Sequence, residues 1–134
     1  MSLFKWLKSL WDNNENYTDT INGRNSEKKI QKCIYVALPP KNKDINQNDF
    51  IVVAPSNVPQ WVLFKCPCKC GHVITLSMSL KKNPRWRVHV EKDGSPSLYP
   101  SVRQLNGCLS HFWVKNGKIL WCVDTGKLYT KNTL

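Results

Sequence analysis

Trp61-Val62-Leu63-Phe64-Lys65-Cys66-Pro67-Cys68-Lys69-Cys70-Gly71-His72-Val73-Ile74-Thr75-Leu76-Ser77-Met78 is the stretch on which the fold turns. A short apolar run enters a cysteine-rich loop and a second leaves it, the pattern of two strands flanking a turn. Three of the six cysteines fall within five residues. Pro67 fixes one φ angle, and Gly71 permits the positive φ at which the loop folds back. The reading is a β-hairpin with a metal loop at its tip.

Cys108 is the next cysteine, and His111 follows it three residues on. Thiolates are soft ligands that suit Zn²⁺, and four of them, or three with an imidazole, close a tetrahedral site. The expected ligands are Cys66, Cys68, Cys70 and Cys108, with His111 as the substitute ligand. The alternative is a disulfide pair or reduced structural thiols. The N-terminal apolar stretch is interrupted by charge and lacks a small-residue cleavage site, so a secretory signal is not expected. A reducing, cytoplasmic location is expected instead, which disfavours disulfides.

The rest of the chain reads in the same way. Cys33 to Leu38 stops at Pro39-Pro40, and Phe50 to Ala54 stops at Pro55. Trp86 to Val90 alternates and ends at Asp93-Gly94, and Ser97-Leu98-Tyr99 is extended before Pro100. Ser110 to Val114 and Lys118 to Val123 flank Asn116-Gly117, a strong hairpin signal, and Leu128 to Thr130 offers a last strand. Short runs bounded by Gly, Pro and Asn predict an all-β or mostly β fold. Cys33 and Cys122, flanked by apolar residues, read as buried thiols. His72 reads as a surface or outer-shell imidazole, and His89 as structural.

A chain of 134 residues suits one domain. Residues 1–11 carry Leu3, Phe4, Leu7, Leu10 and Trp11 at helical spacing and predict a short amphipathic helix, which packs on its own domain or docks on a partner or membrane surface. Residues 12–29 are Asn-rich and polar and read as a linker. Residues 30–134 form the zinc-stabilised β domain. No apolar run is long enough for a membrane span. The net charge of +11 admits nucleic acid, an acidic protein partner or an anionic surface. The lysines are scattered, and the aromatics sit inside strand patterns, as core residues do. A non-catalytic basic zinc module is therefore the second reading, with nucleic acid as its less favoured partner.

A second constellation carries other chemistry. If His111 is a zinc ligand, only two of the clustered cysteines bind beside Cys108. If all four cysteines hold the metal, His111 is free to act as a base for a serine nucleophile. Ser101 and Ser110 are the candidates. Ser110 neighbours His111 in sequence, so on a strand it points to the opposite face, which favours Ser101. Asp93, Glu91 and Asp124 could each supply an orienting carboxylate, and the sequence does not choose among them. From the residues alone, a structural serine and a ligand histidine are the simpler account.

Three motifs together resemble one family: the Cys-Pro-Cys-x-Cys-Gly loop at 66–71, Leu-x-Pro-Ser-Val at 98–102, and Gly-Cys-x-Ser-His-Phe-Trp at 107–113 with Ile119-Leu120-Trp121 after it. They resemble the BubE family of small proteins encoded with bacterial ubiquitin-like conjugation (Bub) systems. The resemblance covers roughly Trp61 to Trp121 and departs from the family pattern at Lys69 and Leu109. It implies a deubiquitinase-like peptidase that trims a ubiquitin-like protein or removes it from targets, in a setting linked to phage defence. Its partners would be that protein and its conjugation enzymes. With it, the expected function is a serine peptidase with Ser101 as nucleophile, His111 as base and a structural zinc.

Overall fold

The structure, a computed structural model, describes residues 28–128. The amphipathic helix at 1–11 and nearly all of the linker lie outside the described residues, as do Tyr129 and Thr130 of the expected last strand. Among the described residues, eight strands make up two four-stranded sheets. The first sheet holds β1 (Cys33–Val36), β2 (Phe50–Val53), β3 (Trp61–Lys65) and β4 (Val73–Ser77) in that order, with β1 parallel to β2 and the other pairs antiparallel. The second is an antiparallel meander of β5 (Arg87–Val90), β6 (Pro96–Arg103), β7 (His111–Lys115) and β8 (Lys118–Trp121). The mostly β fold agrees with the sequence reading.

Alternation drives the packing, because successive residues of a strand face opposite ways. Phe50, Val52, Val62, Phe64, Ile74 and Leu76 from the first sheet meet Leu98, Val102, Phe112, Val114 and Ile119 from the second in one core. Aromatic rings run through it. Phe64 stacks on Phe50 at 5.4 Å and meets the edge of Phe112 at 6.2 Å, and Phe112 meets Trp121 at 5.5 Å. All four residues of β2 are buried, because Ile51 and Val53 pack on the opposite face against Ile45 and Leu63. Phe64 therefore joins the two layers. Phe64→Ala should destabilise the domain by about 3–5 kcal/mol, read as a lower urea midpoint with an unchanged m-value. A loss below about 1 kcal/mol would show that the layers do not depend on this ring.

Two differences from the sequence reading have local causes. β6 continues through Pro100 instead of stopping before it. Its register against β7 passes from Leu98↔Val114 to Val102↔Phe112, so β6 carries extra residues over that interval. A bulge needs fewer ladder donors, and it accommodates a proline that has no N–H. The chain before β1 is also ordered: Lys29 and Ile30 donate their N–H groups to the Gly117 carbonyl. Asn116 and Gly117 both have positive φ, as the expected tight hairpin turn demands. Gly117 is needed for space as well, since a Cβ there would lie 2.0 Å from the Ile30 carbonyl oxygen.

Candidate active site and thiol cluster

The β3–β4 hairpin ends at Lys65↔Val73, and the Cys66 N–H then donates to the His72 carbonyl at 2.8 Å. Inside that closure Lys69 (φ 70°) and Gly71 (φ 88°) both take left-handed conformations. A lysine in that region costs about 1–2 kcal/mol that a glycine avoids. The reversals gather the thiols. Cys66 Sγ lies 3.4 Å from Cys68 Sγ and 3.7 Å from Cys108 Sγ. The sulfurs of Cys66, Cys68, Cys70 and Cys108 all lie within 4.8 Å of one another and could hold a metal ion. No cysteine is in a disulfide. Cys66 is fully buried, which raises its thiol pKa, and the Gln47 side chain donates to its carbonyl at 2.9 Å. At Cys108 burial works against ionisation, but hydrogen bonds from the Ser110 hydroxyl and N–H prevail and bring it down to about 7. Cys122 is buried as expected, whereas Cys33 is only half-buried; burial pushes their thiols up to about 12 and about 11.

Ser110 is buried, and its Oγ donates to Cys108 Sγ at 3.2 Å. It thus faces the thiols, opposite to His111. Leu109 (φ 54°) supplies a bend after Cys108. His111 is not one of the four gathered ligands. It falls in a separate close group with Cys122 and Asp124.

On the outer face of the second sheet, strand period brings other side chains together. Val102 and Phe112 pair and point into the core, so Arg103 and its partner His111 point outward, and Ser101 shares their face. Ser101 Oγ lies 3.0 Å from His111 Nε2. The Trp86 indole N–H donates to the Ser101 carbonyl at 3.3 Å and fixes the backbone there. His111 Nδ1 lies 2.6 Å from Asp124 Oδ1, and the other oxygen of Asp124 accepts from Arg103 Nη2. Asp124 comes from the turn after β8. That turn is tied back to the start of β7 by Cys122 N–H to His111 O at 2.9 Å, His111 N–H to Thr125 Oγ1 at 3.0 Å, and Gly126 N–H to Leu109 O at 2.8 Å.

The tautomer of His111 follows from its neighbours. Partial burial raises the Asp124 pKa, but hydrogen bonds from Arg103 and His111 outweigh it and hold the carboxyl below the usual range. An ionised oxygen at 2.6 Å cannot face a bare nitrogen lone pair, so Nδ1 carries the proton. Nε2 is then the acceptor for the Ser101 hydroxyl, the orientation a general base needs.

Of the three carboxylates left open by the sequence, only Asp124 touches the imidazole. Asp93 bonds Ser95 and pairs with Lys28, and Glu91 accepts from Ser97 Oγ at 2.7 Å. Arg103 was not singled out in the sequence, although its place two residues after Ser101 puts both on one strand face. Among the described residues no helix is long and apolar enough to cross a membrane.

Comparison with curated proteins and with solved structures finds no match. Residues 37–122, more than half of the chain, match the family described as "Bacterial ubiquitination-like system serine protease (BubE)". The matched span contains the four gathered thiols, Ser101, Arg103 and His111, and it ends two residues before Asp124. The chain belongs to the BubE family of serine proteases of bacterial ubiquitination-like systems.

Proposed function

We propose that this protein is a deubiquitinase-like serine peptidase of the cytoplasm, which hydrolyses the acyl bond at the C-terminus of a bacterial ubiquitin-like protein. The partners are that protein and the enzymes that conjugate it. The observation that carries the reading is the continuous chain from Ser101 Oγ through His111 to Asp124, at 3.0 and 2.6 Å. In the reaction Ser101 Oγ attacks the carbonyl carbon while its proton passes to His111 Nε2. His111 then gives that proton to the departing amine, and an acyl-serine remains. Water attacks the acyl carbon, loses a proton to His111, and Ser101 leaves as the restored hydroxyl. Asp124 keeps the Nδ1 proton in place and offsets the imidazolium charge.

The thiol cluster is proposed to hold structural zinc through Cys66, Cys68, Cys70 and Cys108. A zinc–sulfur bond of about 2.3 Å puts tetrahedral thiolates about 3.8 Å apart, and the observed 3.4 and 3.7 Å are close to that. When bound, zinc would cross-link the β3–β4 loop to the segment before β7. An all-thiolate set suits a closed structural site, not an open catalytic one.

A fluorophosphonate probe tests the reading, together with a linear fusion of the ubiquitin-like protein from the same system to a C-terminal reporter. The expected result is one label per chain, mapped to Ser101 by mass spectrometry, and cleavage of the fusion that the label blocks. Cleavage that persists in fully labelled protein, or a label on another residue, overturns it.

A further inference from the structure

Arg103 stands in a position that an acyl-transfer site of serine, histidine and aspartate does not itself require. It faces His111 directly across the β6–β7 ladder. Its Nη2 donates to the Asp124 oxygen that is turned away from the imidazole, and the same nitrogen lies 2.9 Å from His111 Nδ1. Nδ1 already carries a hydrogen directed at Asp124, so the guanidinium and the imidazole meet as two donors around one carboxylate. Asp124 sits in a turn and its side chain is 40% exposed. A carboxylate so placed would swing toward water unless something held its far oxygen. Arginine suits that task, because its planar donors stay charged at any working pH and keep a fixed geometry.

We infer that Arg103 is a positioning residue of the peptidase: it clamps Asp124 so that one carboxylate oxygen faces His111 Nδ1. The inference rests on the serine reading above. Among the described residues, Arg103 is the cation that reaches both Asp124 and His111. Loss of Arg103 should release the far oxygen of Asp124 and loosen the orientation of the imidazole toward Ser101.

The test is the second-order rate of Ser101 labelling by a fluorophosphonate, measured at neutral pH in the full-length protein. The series is wild type, Arg103→Ala, Arg103→Gln and Arg103→Lys, with circular dichroism as the check on folding. Arg103→Ala and Arg103→Gln should label about 10–100-fold more slowly, the scale of a lost orienting partner. Arg103→Lys should recover part of the rate, since it restores a charged donor to Asp124 without the fork. Wild-type rates in the neutral variants overturn the inference. So does a slower rate that Arg103→Lys does not partly recover, which would mark Arg103 as a packing residue. If Arg103→Ala does not fold, the Gln and Lys variants carry the same comparison. Wild-type protein that takes no label at Ser101 instead overturns the serine reading itself, so the two failures are separable.

Discussion

Ser101→Ala is expected to lower kcat for cleavage of the ubiquitin-like fusion by roughly 10⁴–10⁶-fold, and His111→Ala by a similar factor. The two losses should not add. On the proposed mechanism nucleophile and base act as one unit, and without the base the hydroxyl is not activated, so the double variant should be about as slow as either single one. Neither change should disturb the fold. Ser101 and His111 share the outer face of the second sheet, while the core side of the same strands is filled by Val102 and Phe112. Zinc content should also be unchanged, because the four gathered thiols do not include His111. Single-turnover kinetics and elemental analysis on the same preparations make the check. A Ser101→Ala protein that keeps a tenth of wild-type activity, or a His111→Ala protein that loses its metal, would sink the assignment.

Metal removal is the second large effect. Purified protein should carry one equivalent of zinc. Chelation should lower the midpoint of thermal unfolding by about 10–20 °C, since a few kcal/mol shifts a domain of this size by that much. The described residues have a two-sheet core of their own, so the proposed metal should supplement that core instead of creating the fold. Cys66→Ser should be the most damaging single ligand change, because Cys66 is fully buried at the closure of the β3–β4 hairpin. Cys68 and Cys70 are exposed, and their replacement should cost less. Chelation should also slow labelling of Ser101, because Cys108 lies only three residues before His111, the proposed base. Apo protein with an unaltered unfolding midpoint would remove the structural role of the metal.

Much of this architecture could be read from the residues. The hairpin around the cysteines and the Asn116-Gly117 turn each predicted a strand pair that the structure contains, and the apolar runs bounded by Pro and Gly predicted single strands. Pro100 misled, because a proline reads locally as a stop, and only the register between β6 and β7 reveals the bulge that admits it. The parallel pairing of β1 with β2 had no local signal, since it depends on where a distant segment docks. The thiol grouping and the facing of Ser101 and His111 follow from short-range rules. The choice of Asp124 over Asp93 and Glu91 does not, because backbone bonds from the turn after β8 to the start of β7 bring it there. Arg103 could have been suspected from strand period, but its partner across the ladder is a matter of register.

The family match begins at residue 37, just after β1 ends at Val36. β1 therefore lies outside the matched span, yet it occupies the open edge of β2. Phe50-Ile51-Val52-Val53 is uncharged, with three β-branched residues after the phenylalanine, and it is buried on both faces. Trimmed to the matched span, the sheet would present that strand with a row of unpaired N–H and C=O groups, a template for pairing with a second copy and for aggregation. Four residues upstream of the matched span thus cover the backbone edge of a strand whose side chains are all buried.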